Sequence, residues 1–284
     1  MSEGILSIQS NVAYGHVGNS AAVFPLQRLG FEVWPVSTVL FSNHTGYGQW
    51  RGHAVELAQV EEIIRGVEER GALPRTRAVL SGYLGSPDLG EVLLRTVDEV
   101  RAARPGALFV CDPVMGDEGR GFFVRPGIPE LFRDRVVPVA DIITPNAFEL
   151  AWLTDTAIGS IADASRAAAR ARAAGPSIVV ATSLKIADRP GELGILADTA
   201  LGSWICWTPE LAVSLNGTGD SFTALLLGWW LRTGSVPEAL SRAVSAMYAL
   251  VELTHRTGSR ELELVAAQAA FEAPERMFVA ERVG

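Results

Sequence analysis

A short glycine-rich stretch carries the residue types best suited to chemistry. Residues 215–222 read LNGTGDSF and lead directly into an apolar segment typical of a buried helix. Glycine lets backbone N–H groups turn toward one point without a Cβ in the way. The first turn of a helix adds N–H groups without intrahelical partners and a partial positive charge. The stretch therefore predicts an anion site, and phosphate is the anion such sites bind most often.

Asp220 stands beside this predicted anion site. A carboxylate is repelled by phosphate, so it is poorly suited to bind one. It is well suited to take a proton from a hydroxyl group that attacks the phosphate. The alternative is a helix N-cap, a position that aspartate often occupies. Both interpretations stay open on this stretch alone.

Further oxygen-bearing side chains follow two predicted buried strands. Asp112 and Asp117 come after one strand, while Asn146 and Glu149 come after the next, one helical turn apart. Open parallel sheets bind ligands beyond the carboxyl ends of their strands, and oxygen ligands suit Mg²⁺. The simpler interpretations are a turn aspartate at 117 and a capping-box glutamate at 149. These alternatives also stay open.

An aromatic, polar loop and a tyrosine could hold a flat polar ring. Residues 41–48 read FSNHTGYG, and Tyr83 lies at the carboxyl end of a short predicted strand, 78–80. Such a loop is more often an ordinary turn. The same side chains can also stack on a ring and hydrogen-bond its edge.

These residues need a scaffold, and the apolar patterns predict one of alternating strands and helices. Strands are predicted at 4–9, 31–37, 78–80, 107–111, 140–144, 177–181, 193–197 and 204–207. Helices are predicted at 20–29, 56–70, 88–103, 163–174, 236–254 and 261–271, with others beginning at Asn146 and after Asp220. The last two strands are expected to be antiparallel at a sheet edge, and residues 118–126 to form a mobile flap. The alternation indicates an α/β fold.

Composition limits the class of protein. The chain has 284 residues, 48% of them hydrophobic, and a net charge of −8. This charge argues against a broad nucleic-acid surface. The start lacks a signal-peptide pattern, and no apolar run reaches membrane-spanning length. The two cysteines lie in apolar runs, which favours buried thiols in a reducing cytoplasm. With no repeat or linker in evidence, we expect a single domain over 1–284.

Several motifs together resemble one family of kinases. Gly217-Thr218-Gly219-Asp220 resembles the anion-hole and base signature of ribokinase-like small-molecule kinases. The resemblance narrows to pyridoxal kinases through the stretches SIQS (7–10), YGHVGNSAA (14–22), FSNHTGY (41–47), SGYLG (81–85), CDPVMGD (111–117) and DIITPN (141–146). It covers the chain from about residue 5 through the helix after Asp220.

The resemblance implies a fold, substrates and an assembly. The fold is a ribokinase-like three-layer α/β/α arrangement, with a mostly parallel central sheet and helices on both faces. The implied substrates are pyridoxal and ATP, with Mg²⁺ and often a monovalent cation such as K⁺ or Na⁺. A cytoplasmic homodimer is expected, with no nucleic-acid or membrane partner.

The resemblance also implies roles for matching residues. Asp220 is the base for the 5′-hydroxyl group, and Gly217, Thr218 and Gly219 form the anion hole. The implied pyridoxal pocket consists of Ser10, Thr45, Gly46 and Tyr83, with Ser10 hydrogen-bonded to the pyridine ring. The cation and the ATP phosphates are assigned to Asp112, Asp117, Thr144, Asn146 and Glu149, and Thr182 and Ser183 are assigned to the ATP phosphates.

The chain departs from the family pattern at three points. Some bacterial members carry a flap cysteine where this chain reads Gly121-Phe122-Phe123, so aldehyde chemistry through a flap thiol is absent. Some members have lysine at the position of Thr182. The loop 185–191 matches weakly, and we assign Lys185 no role.

Two other functions are compatible with these motifs. One is a kinase for a related ring alcohol such as hydroxymethylpyrimidine, which would differ at the ring pocket. The other is a nucleotide-binding regulator without turnover, against which the intact Asp220 argues. A nicotinamide dehydrogenase is disfavoured because no Gly-x-Gly-x-x-Gly follows the first strand.

Overall fold

The computed structural model describes residues 3–283, and a ten-stranded sheet runs through it. Its strands are β1 (Gly4–Val12), β2 (Glu32–Phe41), β3 (Gly52–Ala54), β4 (Thr76–Ser81), β5 (Leu108–Cys111), β8 (Ile142–Ile143), β9 (Ile178–Leu184), β10 (Glu192–Thr199), β11 (Gly202–Pro209) and β12 (Glu281–Arg282). A separate hairpin contains β6 (Gly116–Asp117) and β7 (Gly121–Phe122).

The strand order explains where a ligand can bind. It is β12-β11-β10-β9-β8-β5-β4-β1-β2-β3. The six strands from β9 to β2 pair in parallel, whereas β3 at one edge and β10, β11 and β12 at the other are antiparallel. The prediction of a mostly parallel sheet with an antiparallel edge is confirmed. The carboxyl ends of the parallel strands share one edge, and we call the space beyond them the crevice.

Helices cover both faces of the sheet. They are α1 (Asn19–Arg28), α2 (Leu57–Glu69), α3 (Pro87–Ala103), α4 (Ile128–Leu131), α5 (Ala147–Thr154), α6 (Ile161–Ala173), α7 (Thr218–Thr233) and α8 (Val236–Thr257). One apolar core contains buried residues of α2 to α6, and a second contains those of α1, α7 and α8. The alternating side chains of β1 divide between them: Leu6 joins the first core and Ile5 the second. This is the predicted three-layer α/β/α arrangement.

The predicted helix at 261–271 is wrong. Helix α8 ends at Thr257, and its C-cap Gly258 has a φ of 68°, a left-handed conformation that glycine adopts without strain. Beyond it the chain forms turns, with a short 3₁₀ helix at Gln268–Phe271. Leu262 and Leu264 are both buried. Both side chains reach the second apolar core from this irregular segment.

The predicted flap at 118–126 contains the turn of the β6–β7 hairpin. The ring centroid of Phe122 lies 5.2 Å from that of Phe148 and 5.5 Å from that of Trp152, both edge-on. Edge-to-face aromatic pairs contribute more stabilisation than the burial of their apolar surface alone. The hairpin is therefore anchored to α5, and its mobility stays a prediction.

Two smaller expectations concern the thiols and the helices. Cys111 and Cys206 are both free and buried, as predicted. Within residues 3–283, no helix is long and apolar enough to cross a membrane.

Candidate active site

The start of α7 has the geometry expected of an anion site. Gly217 is the N-cap, with a φ of 83°. A Cβ at this position would lie 1.8 Å from the carbonyl oxygen of His16, so only glycine fits. Thr218 is the first residue of α7, and Asp220 is in its first turn. The N-cap interpretation of Asp220 is therefore wrong, because the cap is Gly217.

Asp220 lies where three segments meet. Its carboxylate accepts hydrogen bonds from the backbone N–H of Gly18 and from its own N–H. A Cβ on Gly82, just after β4, would be 3.5 Å from Asp220 Oδ1. Burial raises the pKa of Asp220 above its usual range, and the two N–H bonds only partly offset this rise. A carboxylate with a raised pKa is a stronger base, which suits proton transfer.

Ser10 is close to this carboxylate through a shared neighbour. It is a buried residue of β1, 8% exposed, near the carboxyl end of the strand. A Cβ on Gly18 would lie 2.3 Å from Ser10 Oγ. Because Gly18 also donates to Asp220, the structure brings Ser10 and Asp220 to the same part of the crevice.

The ring-binding candidates come from two further loops. Thr45 and Gly46 belong to a 3₁₀ turn, Thr45–Tyr47, and both are exposed. A Cβ on Gly46 would lie 3.2 Å from Asn216 Nδ2, which brings this turn next to the glycine-rich stretch. Tyr83 follows β4 and is half-buried, and burial raises the pKa of its hydroxyl group. These loops therefore border the same end of the sheet as Ser10.

Asp112 is the buried carboxylate at the end of β5. Its pKa lies well above the usual range, first because it is buried and then because Glu149 and Asp220 repel its charge. A hydrogen bond from Thr223 opposes this rise. The hydroxyl oxygens of Thr223 and Thr144 lie 2.8 Å apart, and either group can donate to the other. The structure thus brings Asp112 and Thr144 together through Thr223.

Glu149 has a structural role that the sequence left open. Asn146 is the N-cap of α5, and the two residues form a capping box. The Glu149 carboxylate also accepts from the backbone N–H of Met115 at 2.8 Å and of Gly116 at 3.4 Å. Burial raises the pKa of Glu149 to about 7 despite these bonds. The capping-box interpretation is confirmed, and a role toward a cation stays a prediction.

The remaining phosphate and cation candidates lie at neighbouring strand ends. Thr182 donates its N–H to the carbonyl oxygen of Pro145 at 2.9 Å, which joins the ends of β9 and β8. Ser183 has a φ of 58°, an uncommon conformation for a residue other than glycine. Asp117 lies in the hairpin, 46% exposed, and pairs with Arg120 at 3.1 Å. Asp117 is the last residue of β6, where the hairpin turn begins, and its role toward a cation stays a prediction.

Sequence reasoning missed two residues that contact the site residues or the loops beside them. Thr223 had a weak signal: it is a hydroxyl in an apolar helix, three residues after Asp220 and so on the same helical face. Glu261 contacts His44, from which 217 residues separate it. No local pattern could connect the two, and the stretch containing Glu261 was predicted as a helix.

The acidic residues can hold a cation only with help from other ligands. Within residues 3–283, no group of three or more His, Cys, Asp and Glu side chains could hold a metal ion by itself. Asp112, however, is a buried carboxylate that two further carboxylates repel. Mg²⁺ usually binds through one or two carboxylates, together with water and substrate phosphates. The donor set fits a cation of this kind.

Comparisons with known proteins agree with this geometry. The family model of phosphomethylpyrimidine kinase matches residues 36–264. The chain is 54% identical to pyridoxal kinase PdxY of Rubrobacter xylanophilus, with 100% of both chains covered, and 54% identical to that of Deinococcus radiodurans, covering 98% and 96%. The structure of Leishmania donovani pyridoxal kinase with ADP and ginkgotoxin aligns over 100% of both chains, with a TM-score of 0.93 and 32% identity. This chain therefore belongs to the pyridoxal kinase family and has its ribokinase-like fold.

Proposed function

We propose that this protein transfers the γ-phosphoryl group of ATP to the 5′-hydroxyl group of pyridoxal, with Asp220 as the general base. The observation that carries the proposal is the Asp220 carboxylate in the first turn of α7, directly after the glycine N-cap. The names of the relatives support the chemistry. Two structures of Leishmania donovani pyridoxal kinase contain ADP, one together with pyridoxamine and the other together with pyridoxine.

The proton and the phosphoryl group are handled by neighbouring atoms. The 5′-hydroxyl group must lose its proton as it attacks, and Asp220 accepts it. The raised pKa of Asp220 increases its affinity for that proton. The backbone N–H groups at Gly217, Thr218 and Gly219 stabilise the negative charge of the transferred group by hydrogen bonds, because the α7 start offers donors without intrahelical partners. Most of the catalysis is then positioning and charge stabilisation.

The ring of the substrate is assigned to the loops beside Asp220. Ser10 hydrogen-bonds the pyridine nitrogen, and Tyr83 provides an aromatic surface. The Thr45–Tyr47 turn covers the pocket from the side of Asn216. This arrangement leaves the substrate hydroxyl group toward Asp220, because Gly18 contacts both Ser10 and Asp220.

The cation side is assigned to the ends of β5, β8 and β9. Mg²⁺, when bound, would neutralise charge on the ATP phosphates. Asp112 and Thr144 would hold it, with Asp117, Asn146 and Glu149 acting through water or through their charge. Thr182 and Ser183 would contact the ATP phosphates. A monovalent cation, K⁺ or Na⁺, is assigned to the same region.

A second candidate is a kinase for hydroxymethylpyrimidine. It is favoured by the match of residues 36–264 to the phosphomethylpyrimidine kinase model. Both substrates are ring alcohols, so the same base and anion hole would serve either. The ring pocket decides between them. A regulator without turnover is the third alternative, and Asp220 argues against it.

One assay separates these functions. ATP consumption is measured with pyridoxal, pyridoxine, pyridoxamine and hydroxymethylpyrimidine, at equal concentrations and with Mg²⁺ present. We expect the largest kcat/KM for a vitamin B6 form. A larger kcat/KM for hydroxymethylpyrimidine would favour the second candidate, and no turnover with any alcohol would favour the regulator.

The proposal includes a cytoplasmic homodimer. The dimer rests on the family resemblance, and the two buried thiols support a reducing cytoplasm. Light scattering should give about twice the chain mass of 30.3 kDa. A mass of one chain at assay concentrations would contradict the dimer without affecting the assigned chemistry.

A further inference from the structure

The carboxylate of Glu261 gathers hydrogen-bond donors from two loops beside the crevice. Its side chain is 12% exposed. Tyr47 Oη donates to Oε1 at 2.7 Å, and His44 Nε2 lies 3.1 Å from the same oxygen. The backbone N–H of His16 donates to Oε2 at 3.0 Å. Because an ionised carboxylate only accepts, the His44 ring must donate from Nε2. We call these four residues the Glu261 cluster.

The cluster is packed as well as hydrogen-bonded. The ring centroids of His44 and Tyr47 are 4.7 Å apart. The Arg260 guanidinium carbon lies 4.3 Å from the Tyr47 ring centroid, close enough for a cation–π contact. A Cβ on Gly15 would lie 2.2 Å from Glu261 Oε2, so the backbone approaches the carboxylate closely there. The rings and the carboxylate therefore restrain one another.

Each donor belongs to a segment that borders the assigned site. His44 and Tyr47 flank Thr45 and Gly46 of the pyridoxal pocket. His16 lies between Ser10 and Gly18, and its carbonyl oxygen is the atom that a Cβ on Gly217 would strike at 1.8 Å. One carboxylate from the end of the chain therefore connects the substrate loop to the segment beside the anion hole.

We propose that Glu261 is a positioning residue for the vitamer pocket: its carboxylate fixes the Thr45–Tyr47 turn against the His16 segment before the substrate binds. The inference rests on the proposed function, since it takes Thr45 and Gly46 as part of that pocket. Hydrogen bonds to a charged acceptor are stronger than neutral ones. A loop that is already ordered costs less free energy to immobilise on binding, which increases affinity.

The location of the cluster predicts which substrate is affected. The side chains of the cluster contact the loops assigned to the ring. The ATP phosphates are assigned to the α7 start and to the ends of β8 and β9, which the cluster approaches only through the His16 carbonyl oxygen beside Gly217. Loss of the Glu261 carboxylate should therefore raise the KM for pyridoxal and leave the KM for ATP nearly unchanged. A residue that only stabilised the fold would affect both substrates or neither.

The test uses Glu261→Gln in the full-length protein. Glutamine has nearly the same size, but its NH₂ group cannot accept, so at least one donor loses its partner. We expect kcat/KM for pyridoxal to fall about tenfold, the effect of one hydrogen bond to a charged group. The KM for ATP should change less than twofold. Tyr47→Phe should lower kcat/KM for pyridoxal by a smaller factor. The double variant should resemble Glu261→Gln alone, because the two substitutions weaken the same interaction.

A matched control makes the same change of charge elsewhere in the C-terminal segment. Glu272 pairs with Arg28 at 3.3 Å on the surface, 44% exposed. Glu272→Gln should keep both KM values. Hydrogen exchange of residues 43–50 in the substrate-free enzyme adds a direct measurement: exchange should increase in Glu261→Gln and not in Glu272→Gln.

Several results would overturn the inference. They are equal rises in the KM for ATP and pyridoxal, a lowered melting temperature with unchanged kcat/KM, or fully additive losses in the double variant. If Glu261→Gln does not fold, Tyr47→Phe decides, and an unchanged KM for pyridoxal would refute the proposal. A wild-type protein that does not phosphorylate pyridoxal would instead refute the proposed function, before any variant is made.

Discussion

Asp112 lies against the backbone of Gly219: a Cβ built on Gly219 would be 3.2 Å from Asp112 Oδ2. Gly219, which we assign to the anion hole, thus also makes room for the carboxylate that we assign to the cation. A methyl group there requires a shift of a few tenths of an ångström in one of the two elements. This close approach joins the proposed anion hole to the proposed cation site.

This contact predicts that Gly219→Ala lowers turnover without lowering stability. Alanine favours a helix over glycine by up to about 1 kcal/mol, so the melting temperature should hold or rise. Displacement of Asp112 should lower kcat roughly tenfold, since small errors in position are costly in phosphoryl transfer. Gly66→Ala in α2 is the control, because no atom lies within 4 Å of its Cβ position. Equal kcat values for the two variants would show that the approach is unimportant.

Asp220→Asn should nearly abolish turnover while ATP still binds. Asparagine keeps the shape but cannot serve as a base, and general-base contributions are roughly 10²–10⁴-fold. The melting temperature should not fall much, because Asp220 is not the N-cap and its buried charge is unfavourable. Single-turnover kinetics and ATP titration on the same sample separate chemistry from binding. Retention of more than about a tenth of the wild-type kcat would remove Asp220 as the base.

Local signals in the sequence predicted much of this site. The glycines at 217 and 219, the strand ends before Asp112 and Asn146, and the apolar residues of β1 are short-range patterns. Burial then explains why the parallel strands come together. The sequence did not predict the Glu261 cluster, because its partners are more than 200 residues away. It also left Glu149 between two roles, since a capping box and a cation ligand require the same residue type.

Glu149→Gln should raise the Mg²⁺ concentration needed for half-maximal rate more than it raises the KM for pyridoxal. The amide keeps the shape and loses the charge that a hard cation favours. The structure adds a second expected effect. The Glu149 carboxylate accepts from Asn146, Met115 and Gly116, and the NH₂ group of glutamine cannot replace an acceptor facing these donors.

The free energy of unfolding of Glu149→Gln should therefore fall by about 1–3 kcal/mol, the cost of a buried donor left without a partner. The melting temperature should fall with it. Magnesium titration and thermal unfolding of the metal-free protein give the two effects separately. An unchanged titration with a lowered melting temperature would leave Glu149 only its capping role.

The hydroxyl group of Tyr47 provides a pH test of the Glu261 cluster. Its hydrogen bond to Glu261 raises the pKa of Tyr47 to about 12, above the usual 10.0. The folded state thus keeps a proton that the unfolded state loses near pH 10. The stability contributed by this group is complete below pH 10 and is lost as the pH rises toward 12.

Glu261→Gln should lower the pKa of Tyr47 toward its usual value. This pKa is measured by ultraviolet titration of the four tyrosines. Subtraction of the titration curve of the matching protein that carries Tyr47→Phe leaves the contribution of Tyr47. The same titration of Glu272→Gln should match the wild type. A Tyr47 pKa that is equal in all three proteins would mean that the hydrogen bond is absent in solution.

Ser10→Ala tests the substrate assignment most directly. The residue is buried at the end of β1, and the Gly18 backbone that packs on its hydroxyl group also donates to Asp220. A hydroxyl group here can donate to a pyridine nitrogen or accept from a pyridinium. We expect kcat/KM for pyridoxal to fall by the equivalent of about 0.5–1.5 kcal/mol, the net contribution of a neutral hydrogen bond, or by more if the ring is charged.

The KM for ATP should stay nearly constant in Ser10→Ala, because the phosphates are assigned to the α7 start and the ends of β8 and β9. If Ser10 only turns the chain after β1, the variant should instead lower the melting temperature and leave kcat/KM unchanged. The three quantities are measured on one preparation, with hydroxymethylpyrimidine as a second substrate. A loss confined to the melting temperature would remove Ser10 from the pocket. It would also remove the main contact by which this chain could recognise a pyridine ring.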